Sequence, residues 1–173
     1  MTPGFAEFLP PWVARQPWYA GTGIPTLRMV GAFRFEDPDG EVGIETHLLA
    51  DGSHLYQLPM TYRAAPLAGG ALIATAEHSE LGRRWIFDAE SDPVWRAELL
   101  RLVRDGGTSG PSGRGKVRVY AVQLRPVPAT AEIDLIRVLT PGDPGRAGEV
   151  MGTWYPAADA EPMTGCLAVV RSA

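Results

Sequence analysis

TLRMVGAFRFEDPDGEVGIETHLLADGSHLYQLPMTY, residues 26–62, is the stretch that decides the fold. Apolar and polar residues alternate along it with a period of two, the pattern of strands that bury one face. Over 26–36 the apolar set is Leu27, Met29, Phe33 and Phe35, with Arg28, Arg34 and Glu36 opposite. Over 42–50 it is Val42, Ile44 and Leu48, against Glu45 and His47; over 54–62 it is Tyr56, Leu58, Met60 and Tyr62. Asp37-Pro38-Asp39-Gly40 and Asp51-Gly52-Ser53 separate these runs and have strong turn chemistry. The reading is an antiparallel meander with one greasy face.

That premise also sets the register. If Phe35 and Val42 share the buried face, Phe33 lies beside Ile44 and Met29 beside Leu48. At the second turn, burial of a large apolar side chain is worth about 1.5–3 kcal/mol, more than a preferred turn type. The expectation is therefore a three-residue connection, Asp51-Gly52-Ser53. It pairs Leu48 with Tyr56, Thr46 with Leu58 and Ile44 with Met60, despite the usual two-residue preference of Asp-Gly.

Toward the N-terminus, Pro10-Pro11-Trp12-Val13-Ala14-Arg15-Gln16 predicts a short helix stopped by Pro17, since proline suits a first helical turn. Beyond the meander come a small-residue loop at 64–70, a strand over Ala71 to Ala76, and a less periodic stretch to Asp88. The best helix is the next element. Asp92 is its N-cap and Pro93 its N1; Trp95, Leu99, Leu102 and Val103 recur on one face, and Gly106-Gly107 stops it. Residues 108–115 read as a flexible loop, and strands are expected at 116–125, 131–139, 147–155 and 163–171. The expected fold class is α+β: a curved antiparallel sheet packed on one main helix, with a short N-terminal helix and additional C-terminal strands. All 173 residues are expected to form a single domain.

The net charge of −4 argues against nucleic-acid binding, which needs a basic stripe; only one lysine, Lys116, is present. No 18-residue apolar run and no basic-then-apolar leader occur, so neither a membrane span nor a signal peptide is expected. The single cysteine, Cys166, has no disulfide partner within the chain and lies in an apolar run as a buried thiol. These features together predict a cytoplasmic location.

Enzyme motifs are present only in imitation. Gly110-Pro111-Ser112-Gly113-Arg114-Gly115-Lys116 has the glycine and lysine spacing of a phosphate loop. Val117 stands where the magnesium-binding hydroxyl belongs, however, and the loop runs from helix to strand rather than strand to helix. His47 and His54 fall on or beside the meander and are expected in solvent, and no histidine has a helical metal partner. His78 reads as a hydrogen-bonded loop anchor. Asp88, Glu90 and Asp92 resemble a carboxylate pair for sugar chemistry, but directly before a helix they read as caps. Trp12, Trp18, Trp85 and Trp95 fit core packing, while Trp154-Tyr155, before a loop, stays open as a stacking platform. No cofactor or metal set is expected. The segment from His78 to Asp88, with Arg83, Arg84 and Trp85, is the candidate ligand or partner patch.

The segments taken together carry a resemblance. Leu9-Pro10-Pro11-Trp12 through Arg15-Gln16-Pro17-Trp18-Tyr19-Ala20-Gly21-Thr22-Gly23 resembles the opening signature of actinobacterial maltokinases. Tyr56-Gln57-Leu58-Pro59-Met60 is similar to the tyrosine-glutamine-leucine-proline strand of the same N-terminal cap, and Leu81 to Asp88 with Asp92-Pro93 resembles the next part of that cap. The resemblance covers about residues 1–107. It implies a cystatin-like or monellin-like sheet on a helix. The bilobal kinase body that succeeds the cap in maltokinases has no counterpart here, so no catalytic residue carries over. The implied role is a non-catalytic binding or regulatory module of α-glucan, trehalose or maltose metabolism. Two alternatives stand beside it: a small sugar-binding protein or enzyme using the 78–88 segment, and a docking subunit. The implied partners are a sugar kinase, another α-glucan enzyme or a second copy.

Overall fold

The structure is a computed structural model, and it describes residues 1–111, 115–142, 145–157 and 159–171. Among the described residues it is a mixed α+β architecture of two antiparallel sheets and two α-helices. The large sheet is built on the meander: β1 (Arg28–Glu36), β2 (Gly43–Asp51) and β3 (His54–Arg63). A hairpin, β4 (Leu72–His78) and β5 (Gly82–Asp88), extends it through β3, and the short β6 (Gly110–Pro111) borders β1. Beyond β7 (Arg118–Ala121) and β8 (Glu132–Leu135), β9 (Val138–Leu139) returns to pair with β3. β10 (Glu149–Trp154) and β11 (Met163–Arg171) complete a second sheet of order β7-β10-β11-β8.

The meander forms, but it has two buried faces rather than one. Phe33, Phe35, Ile44 and Leu48 face a core shared with helix α2 (Pro93–Asp105) and the second sheet. Tyr56, Leu58 and Met60 face the other way, onto helix α1 (Phe5–Val13), and are buried there with Leu9, Trp12 and Ile86. With both faces covered, the burial argument for shifting the register disappears. Observed pairs are Phe35 with Ile44, Phe33 with Thr46, Leu48 with Gln57 and Ala50 with Leu55. The second hairpin closes with the two-residue turn Gly52-Ser53, Gly52 taking the positive φ of 57° that such turns require. Both expected registers were therefore wrong. A bulge at Val30 also turns Met29 onto the α1 face, opposite Leu49.

The same cover overturns the solvated reading of His47. It is fully buried, with the Phe5 ring centroid 4.6 Å from its own and Nε2 3.1 Å from Glu45 Oε2. His54 is exposed as expected.

α1 starts earlier than its prolines suggest. It is N-capped at Gly4, whose N–H donates 2.7 Å to Glu7 Oε1, and Pro10 and Pro11 lie inside it. In a helix this short few intrahelical donors exist for the prolines to remove. α2 fits its sequence signals at both ends: Asp92 accepts from the Val94 N–H at 3.0 Å, and Gly106 ends the helix in the left-handed conformation. Residues 108–111 are not simply a loop, because Thr108 bridges Tyr120 and Gly110 pairs with Arg34. Of the expected flexible segment, 112–114 lie outside the described residues. β11 spans its expected range, β7 and β10 are shorter than theirs, and 131–139 breaks into β8 and β9 as it passes from one sheet to the other.

Candidate functional site

The residues of the sequence-derived patch do not share one surface. His78 closes the β4–β5 hairpin, where its Nδ1 accepts the backbone N–H groups of Glu80 and Leu81, both at 3.2 Å. That is the anchoring role expected of it. Along β5 the side chains alternate. Arg83 and Trp85 share one face, with the guanidinium carbon 5.6 Å from the indole centroid. Arg84 and Asp88 share the other with Ile86, yet at opposite ends of the strand.

Asp88 belongs to a structural lock. Arg137 Nη2 donates to both Asp88 oxygens at 2.7 Å and Nε donates to Glu90 Oε2 at 3.1 Å, while its guanidinium carbon sits 5.3 Å from the Trp18 ring centroid. Asp88 also accepts the Glu90 N–H that opens a single 3-10 turn at Ala89–Ser91. Arg63 donates to Asp92 through two nitrogens, each at 2.7 Å. Burial pushes the Asp92 carboxyl up, but Arg63, Thr61 and the Val94 N–H together hold it below its ordinary value. Asp88 and Asp92 thus cap as their position before the helix implied, while Glu90 is engaged instead by Arg137.

Other residues settle into packing roles. Trp95 and Leu99 are buried in the shared core and Trp12 on the buried face of α1, whereas Trp18 and Trp85 are half-buried. Trp154 is 1% exposed, so it is core and not a stacking platform. The half-buried Cys166 thiol is pushed up to about 11, burial being the largest cause, which keeps it protonated and unreactive at neutral pH. Among the described residues no group of three metal-ligating side chains occurs, and no helix is long and apolar enough to cross a membrane.

The concave feature with mixed chemistry is a trough of about 490 Å³ on the α1 side of the large sheet, where α1 stops short of the strand ends. Gly43 and Tyr62, cross-strand partners, lie along its floor. A Cβ on Gly43 would stand 3.3 Å from the Tyr62 ring, so glycine is what lets that ring lie close over β2. Phe5 and Met1 wall it on the helix side. Arg34 and Glu36 stand at the β1 end, with His78, Leu81 and Arg84 at the other. The structure thus takes His78 and Arg84 from the sequence patch into the trough, and leaves Arg83, Trp85 and Asp88 out of it. Sequence reasoning missed Tyr62, which was assigned to the greasy face, and Gly43. A glycine inside a strand was the available signal.

The signature stretches converge elsewhere, under the linker from α1 to β1. Trp18 packs 5.9 Å from Trp12 and 5.8 Å from Tyr56, and Tyr19 lies 5.8 Å from Tyr56, centroid to centroid. Tyr19 OH donates to Asp51 at 3.1 Å, and the Ala20 N–H donates to Tyr56 OH at 3.3 Å. From the same strand the buried Gln57 donates to the carbonyls of Ile136, at 2.6 Å, and Leu167. These motifs are packing devices. No curated protein matches the chain. The segment they hold together, residues 12–92, matches the family model of the maltokinase N-terminal cap domain.

Proposed function

We propose that the chain is a non-catalytic binding or regulatory module of α-glucan, trehalose or maltose metabolism, acting in the cytoplasm. The match of residues 12–92 to a maltokinase cap carries this reading. It is supported by the commitment of Asp88, Glu90 and Asp92, the carboxylates closest to a catalytic arrangement, to caps and to Arg63 and Arg137. Purified protein given ATP with maltose or glucosamine is expected to release no ADP above the blank. A turnover that survives repurification and vanishes with one substitution in this chain would overturn the proposal.

A docking role with a separate sugar kinase or other α-glucan enzyme is the second reading. It is favoured by Leu72 and Leu81, 49% and 59% exposed on the β4–β5 hairpin. Capture of such an enzyme from native lysate, lost on L72S/L81S, is the expected result.

A further inference from the structure

We infer that the trough between the N-terminus of α1 and the strand ends is a binding site for a neutral oligosaccharide. The inference rests on the non-catalytic binding role and names the ligand class for the trough already described.

The shape comes first. From Arg34 and Glu36 on β1, across Gly43 on β2 and Tyr62 on β3, to Arg84 on β5, the trough crosses three strand spacings. That is about 14 Å, the span of roughly two or three linked sugar rings. A volume near 490 Å³ lies within the range of small-molecule sites.

The chemistry narrows the class. Asp37 is consumed by its own turn, accepting from the N–H groups of Asp39, Glu41 and Val42. Glu45 faces the buried His47. The charged groups outside those contacts are Arg34 and Arg84 against Glu36 and Glu41, and none of the four is in an ion pair among the described residues. With Asp37 and Glu45 counted, the carboxylates outnumber the guanidinium groups, which disfavours an anion, and the four groups left to meet a ligand are planar hydrogen-bonding groups suited to hydroxyls. His78, accepting at Nδ1, carries the proton of its neutral ring on Nε2 and so offers one further donor.

Tyr62 and Phe5, 6.4 Å apart and edge to face, supply the apolar surface for the C–H face of a pyranose. An aliphatic ligand would strand the charged rim without partners. A polyhydroxylated ring system matches both halves of the lining.

The test titrates the full chain with maltotriose, cellotriose and trehalose by calorimetry and by NMR. Binding of at least one is expected, with shifts centred on Gly43, Tyr62 and Arg84. R34A/R84A, which alters exposed or half-buried side chains only, should weaken it about tenfold, and Tyr62→Ala by as much or more. Tyr62→Phe should retain most of the affinity. Should Tyr62→Ala fail to fold, the arginine variant decides alone. Absence of binding for all three sugars at about 10 mM, a dissociation constant far weaker than a working site needs, would overturn the inference. So would binding indifferent to R34A/R84A. Either failure leaves the non-catalytic reading standing, because that is decided by turnover.

Discussion

The carboxylate of Asp92 caps α2 through Val94 and holds Arg63 by two hydrogen bonds, so one side chain fastens the helix to β3. Burial alone would raise its proton affinity, but Arg63, Thr61 and the cap lower it below the unfolded value. A depressed folded pKa stabilises the fold fully above the unfolded carboxylate pKa of about 3.9, and that contribution is lost as pH falls through the folded value. Asp92→Asn should therefore cost most near neutral pH. Urea midpoints of the two proteins are expected to converge between about pH 5 and pH 2, and a gap unchanged with pH would refute the linkage. This residue was legible in the sequence because a cap is a local device: the aspartate, the proline after it and the helix are contiguous. His47 was not legible. Its burial depends on Phe5, which nothing nearby in sequence announces.

Among the elements, α2 was readable end to end because its stripe, cap and stop are all written within one segment. Trp95 and Leu99 stand on that stripe, each 3% exposed against the shared core. Trp95→Ala is expected to cost about 3–5 kcal/mol, read as a lowered urea midpoint with an unchanged slope. The three meander strands were located correctly and registered wrongly, while β5 went unrecognised in a stretch read as less periodic. Alternation shows which residues of a strand go together, but not which of the two faces a given cover will bury. Tyr56, Leu58 and Met60 find α1 on their side, while Gln57, Pro59 and Thr61 turn toward the second core. The trough was half legible for the same reason. Its charged rim could be read from Arg34, Glu36, His78 and Arg84, but although Tyr62 does share the apolar face of Tyr56, Leu58 and Met60, nothing local showed that the cover would leave it half open. Only the pairing of Tyr62 with Gly43 makes it a floor.

At the scale of the molecule, one core cluster runs from Phe33 and Ile44 of the large sheet through α2 to Val150 and Leu167 of the small one. No local signal foretold that the later strands would form a second sheet over the first. A chain ended after Gly107 would expose Phe33, Phe35, Ile44 and Leu48, all buried when the later strands are present. It is expected to aggregate or to be digested rapidly in limited proteolysis under conditions where the whole chain persists. Gln57 gives the same dependence a sharper form. Its amide lies in the segment that matches the cap model, yet both of its acceptors, the carbonyls of Ile136 and Leu167, lie outside residues 12–92. Cap and tail are therefore not exchangeable cassettes. A chimera that grafts residues 12–92 onto another body must supply two carbonyls in the same place or replace Gln57, and homologous recombination at the boundary meets the same constraint.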